Sequence, residues 1–144
     1  MLIRRSLTAS IPHVYSEDQA LDKSDPSAFK EAWDKFLKQC DPKLLPVKDG
    51  SRLTVFTLRR LSKKQQEYVA NLDGVRMCSA AVALGLAGVT DFEVNGRPLV
   101  LDFEPSDLGP RVKERQLEEM YDLGLFSQLA VRIMDVSRLD FTLG

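Results

Sequence analysis

The dipeptide Asn95-Gly96, which lies between two runs of alternating apolar and polar residues, is the feature that most constrains the fold. Both residues of a two-residue hairpin turn need positive φ, and asparagine and glycine adopt it most readily. A hairpin over residues 91–104, centred on this turn, sets Val94 opposite Arg97 and Phe92 opposite Leu99. Alternation along the strands predicts one apolar face and one acidic face. The apolar face carries Phe92, Val94, Leu99, Leu101 and Phe103, and the acidic face carries Asp91, Glu93, Asp102 and Glu104.

Helix signals precede the hairpin. Asp25-Pro26 predicts a helix start, because an aspartate caps the first turn and proline fits the first helical position. This helix is expected to end before Asp41-Pro42. A Ser-x-x-Gln capping box at 62–65 predicts the start of a second helix, which Asp73-Gly74 interrupts.

The rest of the chain is also rich in helix. Val75 to Leu86 is almost wholly apolar and is expected to be the buried central helix, with Gly88 as its C-cap. After the hairpin, periodicity predicts a charged helix over 111–121, an amphipathic helix over 125–138 and a short tail over 139–144.

These elements indicate an α+β fold. A β-rich run, Leu53 to Leu58, adds a strand between the first two helices. A chain of 144 residues has the size of one domain and needs no disulfide or metal to complete its core. We expect a short antiparallel sheet, including the hairpin, packed against a helical layer over residues 26–144. An extended N-terminal arm over residues 1–25 precedes this domain.

The predicted arm has scattered apolar side chains with no helical or strand period. Ile11-Pro12 favours extended backbone. A polar segment without its own core normally frays unless other contacts hold it. We therefore expect the arm to contact another chain, through Ile3, Leu7, Ile11, Val14 and Tyr15.

The single tryptophan, Trp33, lies on the apolar face of the first helix, next to the arm. That face also carries Phe29, Phe36 and Leu37. Trp33 is either a core residue or an aromatic anchor for a partner, and we include it among the candidate partner-binding residues.

Four basic residues, Arg59, Arg60, Lys63 and Lys64, cluster at the predicted strand-to-helix turn. Both lysines fall in the first turn of the helix, where the helix dipole is positive and acidic residues are preferred. The cluster is either solvated charge, a contact surface for an acidic protein, or a site for phosphate or nucleic acid. The four residues are candidates for partner binding.

Residues of the common catalytic and metal sites are scarce. The single histidine, His13, lies in the predicted arm, whereas a catalytic base must be held rigidly. Cys40 and Cys78 are expected to be free thiols, since structural zinc needs about four ligands. No dinucleotide-binding or P-loop motif is present. We expect no enzymatic activity, cofactor, metal or small-molecule substrate. The acidic hairpin face is expected to be solvated; a contact patch for a basic partner and a metal site are the alternatives.

Charge and hydropathy limit the partners further. A net charge of −1 gives no general attraction to nucleic acid, which is therefore an unexpected partner. No run approaches the roughly 20 apolar residues that span a bilayer. Met1 to Arg5 has no apolar stretch after it, so a secretory signal is not expected.

Three segments together resemble the small structural and assembly proteins of tailed bacteriophages. They are the Val55–Ser62 strand leading into a capped helix, the apolar helix followed by an Asn-Gly hairpin, and the Leu125–Ile133 helix. The resemblance covers roughly residues 50–140. It implies stoichiometric binding to other chains, as in tail-assembly chaperones and minor capsid or neck proteins, and assigns no role to individual residues.

The sequence thus predicts a non-enzymatic structural or assembly protein that acts through protein–protein contacts. The favoured role is a minor component of a tailed-phage particle, made in the host cytoplasm and then carried in the virion. A transient assembly chaperone or regulatory adaptor, and a small enzyme of unknown class, are the alternatives.

Overall fold

The computed structural model describes residues 10–143, with side chains described to residue 138. The described chain is an α+β fold, as predicted. Its helices are α1 (Pro26–Gln39), α2 (Lys63–Ala70), α3 (Gly74–Gly85), α4 (Glu114–Glu119) and α5 (Leu123–Leu143), with one 3-10 turn at Pro42–Leu44. Its strands are β1 (Ile11–His13), β2 (Val55–Leu58), β3 (Leu86–Thr90), β4 (Glu93–Val94), β5 (Arg97–Pro98), β6 (Phe103–Glu104) and β7 (Arg111–Val112).

The central sheet has three antiparallel strands in the order β1-β2-β3. Ile11 lies opposite Leu58, and His13 lies opposite Phe56. The register between β2 and β3 shifts at Thr57/Leu58. Among the described residues two further antiparallel pairs, β4-β5 and β6-β7, form small separate ladders.

The predicted hairpin turn is confirmed. Asn95 and Gly96 have φ of 53° and 76°, and Val94 lies opposite Arg97. The Leu99 N–H donates to the Phe92 carbonyl at 2.8 Å, so these residues pair as predicted. Phe92 and Leu99 are partly buried and both pack against the main core, on the same side.

The predicted length of the hairpin, residues 91–104, is wrong. Its ladder ends at Pro98, and Phe103 pairs with Val112 of β7 instead. Gln116 explains the break: its side-chain amide donates to the Val100 carbonyl at 2.7 Å and accepts from the Asp102 N–H. Backbone groups held in this way cannot extend a ladder to β4.

The main core lies between α3 and α5, and the predicted central helix is confirmed. Residues 81–85 at the end of α3 are buried. A Cβ atom built on Gly85 would lie 2.7 Å from Ile133 of α5, so only glycine allows this approach. The prediction that Gly88 caps the helix is wrong. The chain passes directly from α3 into β3, where Gly88 lies opposite Thr57.

A second, smaller core forms around α1. Its buried members are Val14, Leu21, Phe36 and Leu45. The predicted start of α1 is confirmed, because the Asp25 carboxylate accepts from the Ala28 N–H with Pro26 following it. Val14 and Leu21 connect the N-terminal residues to this core.

The predicted arm is therefore corrected over residues 10–25. Ile11 is buried in the main core, Val14 in the second, and β1 is a strand of the central sheet. The Asp18 carboxylate also accepts from the Thr54 N–H at 2.9 Å. These apolar residues show no helical or strand periodicity because the strand is only three residues long. They are nevertheless core residues, since the strand and the residue after it contribute to both cores.

Two helix boundaries near the C-terminus also differ from prediction. Arg111 and Val112, expected to begin a helix, form β7, and α4 begins at Glu114. The last helix continues through the predicted tail to Leu143. No proline or glycine lies between 125 and 143, so nothing in the sequence stops it.

Candidate functional site

An open groove of about 540 Å³ lies between helices α2 and α3 on one side and β7, α4 and the start of α5 on the other. Buried Leu117 and Phe126 and half-buried Leu72 and Ala80 form its apolar floor. Polar and aromatic residues, five of them exposed and two half-buried, form its rim. These rim residues are Tyr68, Arg76, Ser79, Arg111, Glu114, Glu118 and Tyr121.

The groove continues along α3 into a smaller cavity of about 230 Å³. The two share Tyr68, Ala80 and Arg111, and the second reaches the loop at Ser106–Leu108. The Gln65 side chain donates to the Leu108 carbonyl at 2.6 Å and so joins this loop to α2. One elongated depression results, with side chains from three distant parts of the sequence.

Two tyrosines line the groove, one on α2 and one just after α4. Tyr68 is 46% exposed and Tyr121 is 44% exposed. The Tyr121 ring packs edge-on against buried Phe126, with centroids 5.1 Å apart. A tyrosine held in this way offers a large apolar face and a hydroxyl at little further cost in side-chain entropy.

The charges on the rim are divided between the walls. Arg76 is exposed on α3, and Glu114 and Glu118 are exposed one turn apart on α4. Arg111 lies beside α4, where its guanidinium is 3.7 Å from the Glu104 carboxylate. Within residues 10–138, Arg76, Glu114 and Glu118 make no ion pair.

The predicted contact residues of the arm do not form a surface. Ile11 and Val14 are buried in this chain's own cores, so they cannot contact a partner in the folded protein. Tyr15 is half-buried, and a Cβ atom on Gly124 would lie 2.6 Å from its hydroxyl. Burial, aided by the negative charges of neighbouring acidic residues, raises the pKa of Tyr15. Ile3 and Leu7 lie outside the described residues, and their role stays a prediction.

Trp33 packs within the second core and is only half-buried there. Its ring lies 5.2 Å from Phe36 and 6.0 Å from Phe29, and meets His13 edge-on at 6.0 Å. The first of its two predicted roles, core packing, accounts for these contacts. It does not line the groove.

The basic cluster is spread over different environments. Lys63 and Lys64 are exposed in the first turn of α2, where Ser62 and Gln65 form the predicted capping box. Arg59 is half-buried, with its guanidinium 5.6 Å from the centre of the Phe103 ring. Arg60 is also half-buried. None of the four lines the groove, and only the lysines stand clear of the body of the protein.

His13 is a buried structural residue. It is 1% exposed, and its Nε2 donates to Gln128 Oε1 at 3.1 Å. The same Gln128 oxygen accepts from the Ser16 N–H, and the Gln128 amide donates to the Ser16 hydroxyl, which fixes its orientation. Burial lowers the pKa of His13 to about 4; the hydrogen bond that His13 donates to Gln128 opposes this shift, and the positive charge of Arg132 adds to it.

Most of the acidic residues predicted for the hairpin face are paired with cations, although two of them lie beyond the end of the hairpin. Asp102 lies 2.9 Å from Lys113, and Glu104 lies 3.7 Å from Arg111. The hydrogen bond and charge of Lys113 lower the pKa of Asp102. Among the described residues no three of the His, Cys, Asp and Glu side chains are grouped so as to hold a metal ion. Cys40 and Cys78 are free thiols, as predicted. No described helix is both long and apolar enough to cross a bilayer.

The groove was not foreseen from the sequence. Tyr68 lies in the helix predicted after the capping box, and Arg76, Glu118 and Tyr121 belong to no distinguishing motif. The one available signal was a tyrosine near the end of each of two helices, Tyr68 and Tyr121. Nothing in the sequence shows that these two tyrosines come together in the fold. Comparison of the chain with protein-family models, with curated proteins and with solved structures gave no match to any of them.

Proposed function

We propose that the protein acts by binding other protein chains, as a non-enzymatic structural or assembly component, and that the groove is its docking surface. One observation carries the proposal: Tyr68, Tyr121, Arg76 and Arg111 all line a groove with an apolar floor. Tyrosine and arginine are enriched at protein interfaces and dominate their binding energy, most of all around well-packed apolar pockets.

The surroundings of the groove favour a macromolecule over a small ligand. A volume of about 540 Å³ would suit a small molecule as well. Close to the lining residues in sequence, however, Val75 precedes Arg76 and is 51% exposed, and Leu123 lies two residues after Tyr121 and is 52% exposed. Exposed apolar side chains outside the lining of a groove favour a partner large enough to cover them too.

The resemblance of residues 50–140 to tailed-phage assembly proteins supports a role in a virus particle, made in the host cytoplasm. An arm that reaches a neighbouring chain would favour a permanent component over a transient chaperone, because it suggests lasting contacts between subunits. Because residues 10–25 belong to the cores, that preference loses its support from those residues, and both roles are compatible with a groove that binds protein.

Site-specific photo-crosslinking tests the proposal. A benzoylphenylalanine residue is introduced at Tyr68 or Tyr121, and at Lys35 as a control, since Lys35 is well exposed on α1 and outside the groove. The three full-length variants are irradiated in the cells that naturally make the protein. We expect discrete protein adducts from positions 68 and 121 and none from position 35. Adducts absent from both groove positions, or equally frequent at all three, would refute the docking surface.

A further inference from the structure

We infer that the occupant of the groove is a second copy of this chain, related by a two-fold axis that sets α3 of each copy against α4 of the other. The inference rests on the proposed function, because it names the partner of the same surface. It follows from how charge and apolar surface are distributed across the groove.

The charges of the groove complement themselves. The α3 wall offers the cation Arg76, and the α4 wall offers the anions Glu114 and Glu118, none of them in an ion pair within residues 10–138. Arg111, the cation beside α4, is already 3.7 Å from the Glu104 carboxylate. In a two-fold interface, if one residue contacts a second across the axis, the second contacts the first in return. A single geometry therefore forms two Arg76–Glu118 pairs. A strongly acidic or strongly basic partner would meet one like-charged wall.

The apolar side chains have the same arrangement. Tyr68 and Val75 belong to the α2–α3 side, and Tyr121 and Leu123 to the α4–α5 side. All four are between 44% and 52% exposed, so each side has apolar surface that a second copy can cover.

The area required is that of an ordinary interface. A standard interface buries roughly 800 Å² of each partner. The chain has an accessible surface of 9065 Å², so such a contact takes about a tenth of it.

Reciprocal charge reversal tests both the dimer and its geometry. The full chain is studied by sedimentation equilibrium as wild type, Arg76→Glu, Glu118→Arg and the double variant. We expect a wild-type dimer and a dissociation constant raised about tenfold or more in each single variant, because each places two like-charged pairs in the interface. An equimolar mixture of the single variants should recover the dimer as a heterodimer, and the double variant should recover a homodimer. Glu31→Arg, on exposed α1, is the matched control and should leave the dimer unchanged.

Each other outcome overturns the inference. A wild-type chain that stays monomeric at about millimolar concentration contradicts the second copy. A dimer that survives both reversals, or single variants that do not recover when mixed, contradicts this geometry. Circular dichroism and thermal melting confirm that the variants fold, as expected at exposed positions. If photo-crosslinks from Tyr68 and Tyr121 lead only to a different protein, self-association fails while the proposed function stands.

Discussion

A Cβ atom on Gly85 would lie 2.7 Å from both Cδ1 and Cγ2 of Ile133, so α3 and α5 meet at a point with no room for a methyl group. Cγ2 is attached directly to the stiff, branched Cβ of isoleucine and cannot turn away freely. We expect Gly85→Ala to lower the free energy of unfolding by about 1–3 kcal/mol, measured by urea titration.

Gly88→Ala is the matched control for that substitution. A Cβ atom there would lie 3.7 Å from Thr57, an ordinary contact, so the cost should be well below that at Gly85. Equal losses at the two positions would contradict the packing described for Gly85. A large loss at Gly88 alone would favour the rejected helix cap.

The N-terminal strand gives the second prediction. Ile11 is 3% exposed and packs in the main core, so Ile11→Ala should lower the free energy of unfolding by about 2–5 kcal/mol. Ser10→Ala, at the neighbouring exposed position, should change it little. A melting temperature unaffected by Ile11→Ala would restore the view of residues 10–25 as an arm held from outside.

His13 gives a third prediction, which concerns pH. Its pKa is 6.5 when unfolded and about 4 when folded, so between these values the unfolded chain binds a proton that the folded chain does not. The free energy of unfolding should therefore fall as the pH drops from about 6.5 to 4, by roughly 3 kcal/mol in total.

His13→Gln isolates this effect, because glutamine does not titrate. The variant should lose the pH dependence in that window whatever its stability at neutral pH. Asp22 and Asp102 also have lowered pKa values, so they affect stability mainly at pH values near and below their ordinary pKa of 3.8. Both residues are present in the wild type and in the variant, so their effect cancels in the comparison. Denaturant titrations at a series of pH values measure the slope. Parallel curves for the two proteins would show that His13 is not the group involved.

Lys63 and Lys64 give the fourth prediction. Both are exposed at the N-terminal end of α2, so replacing them with glutamate should raise the free energy of unfolding by about 0.3–1 kcal/mol each at low salt. If the lysines contact an acidic partner, the same change weakens binding in a salt-dependent way. Lys30→Glu in the exposed first turns of α1 is the control. Binding unchanged at low salt would show that the lysines are only solvated charge.

Local signals in the sequence predicted local structure well. The caps at Asp25 and Ser62 and the turn at Asn95-Gly96 depend on residues within a few positions of one another, and all three are confirmed. Such features follow from hydrogen bonds and φ preferences that each segment satisfies by itself.

The predictions that were wrong, and the groove that was not predicted, depend on residues distant in sequence. The β6-β7 pairing replaces the longer hairpin because Gln116 takes up the backbone groups of Val100 and Asp102. Ile11 joins the core through a strand opposite Leu58. The groove combines α2, α3 and α4, and no periodicity within one segment reveals that Tyr68 and Tyr121 line the same groove.

The side-chain amide of Gln128 binds both Ser16 and His13. The N-terminal strand therefore cannot make all of its native contacts until residue 128 has been synthesised. His13 and Gln128 are 115 positions apart, so β1 leaves the ribosome long before its counterpart on α5 has been made. Until then the Nε2 atom of His13 lacks its hydrogen-bond partner Gln128, and Ile11 lacks the α5 residues that form part of its core. A nascent chain stalled before residue 128 therefore leaves the side chains of Ile11 and His13 without the α5 residues that bury them, and completion of α5 covers them.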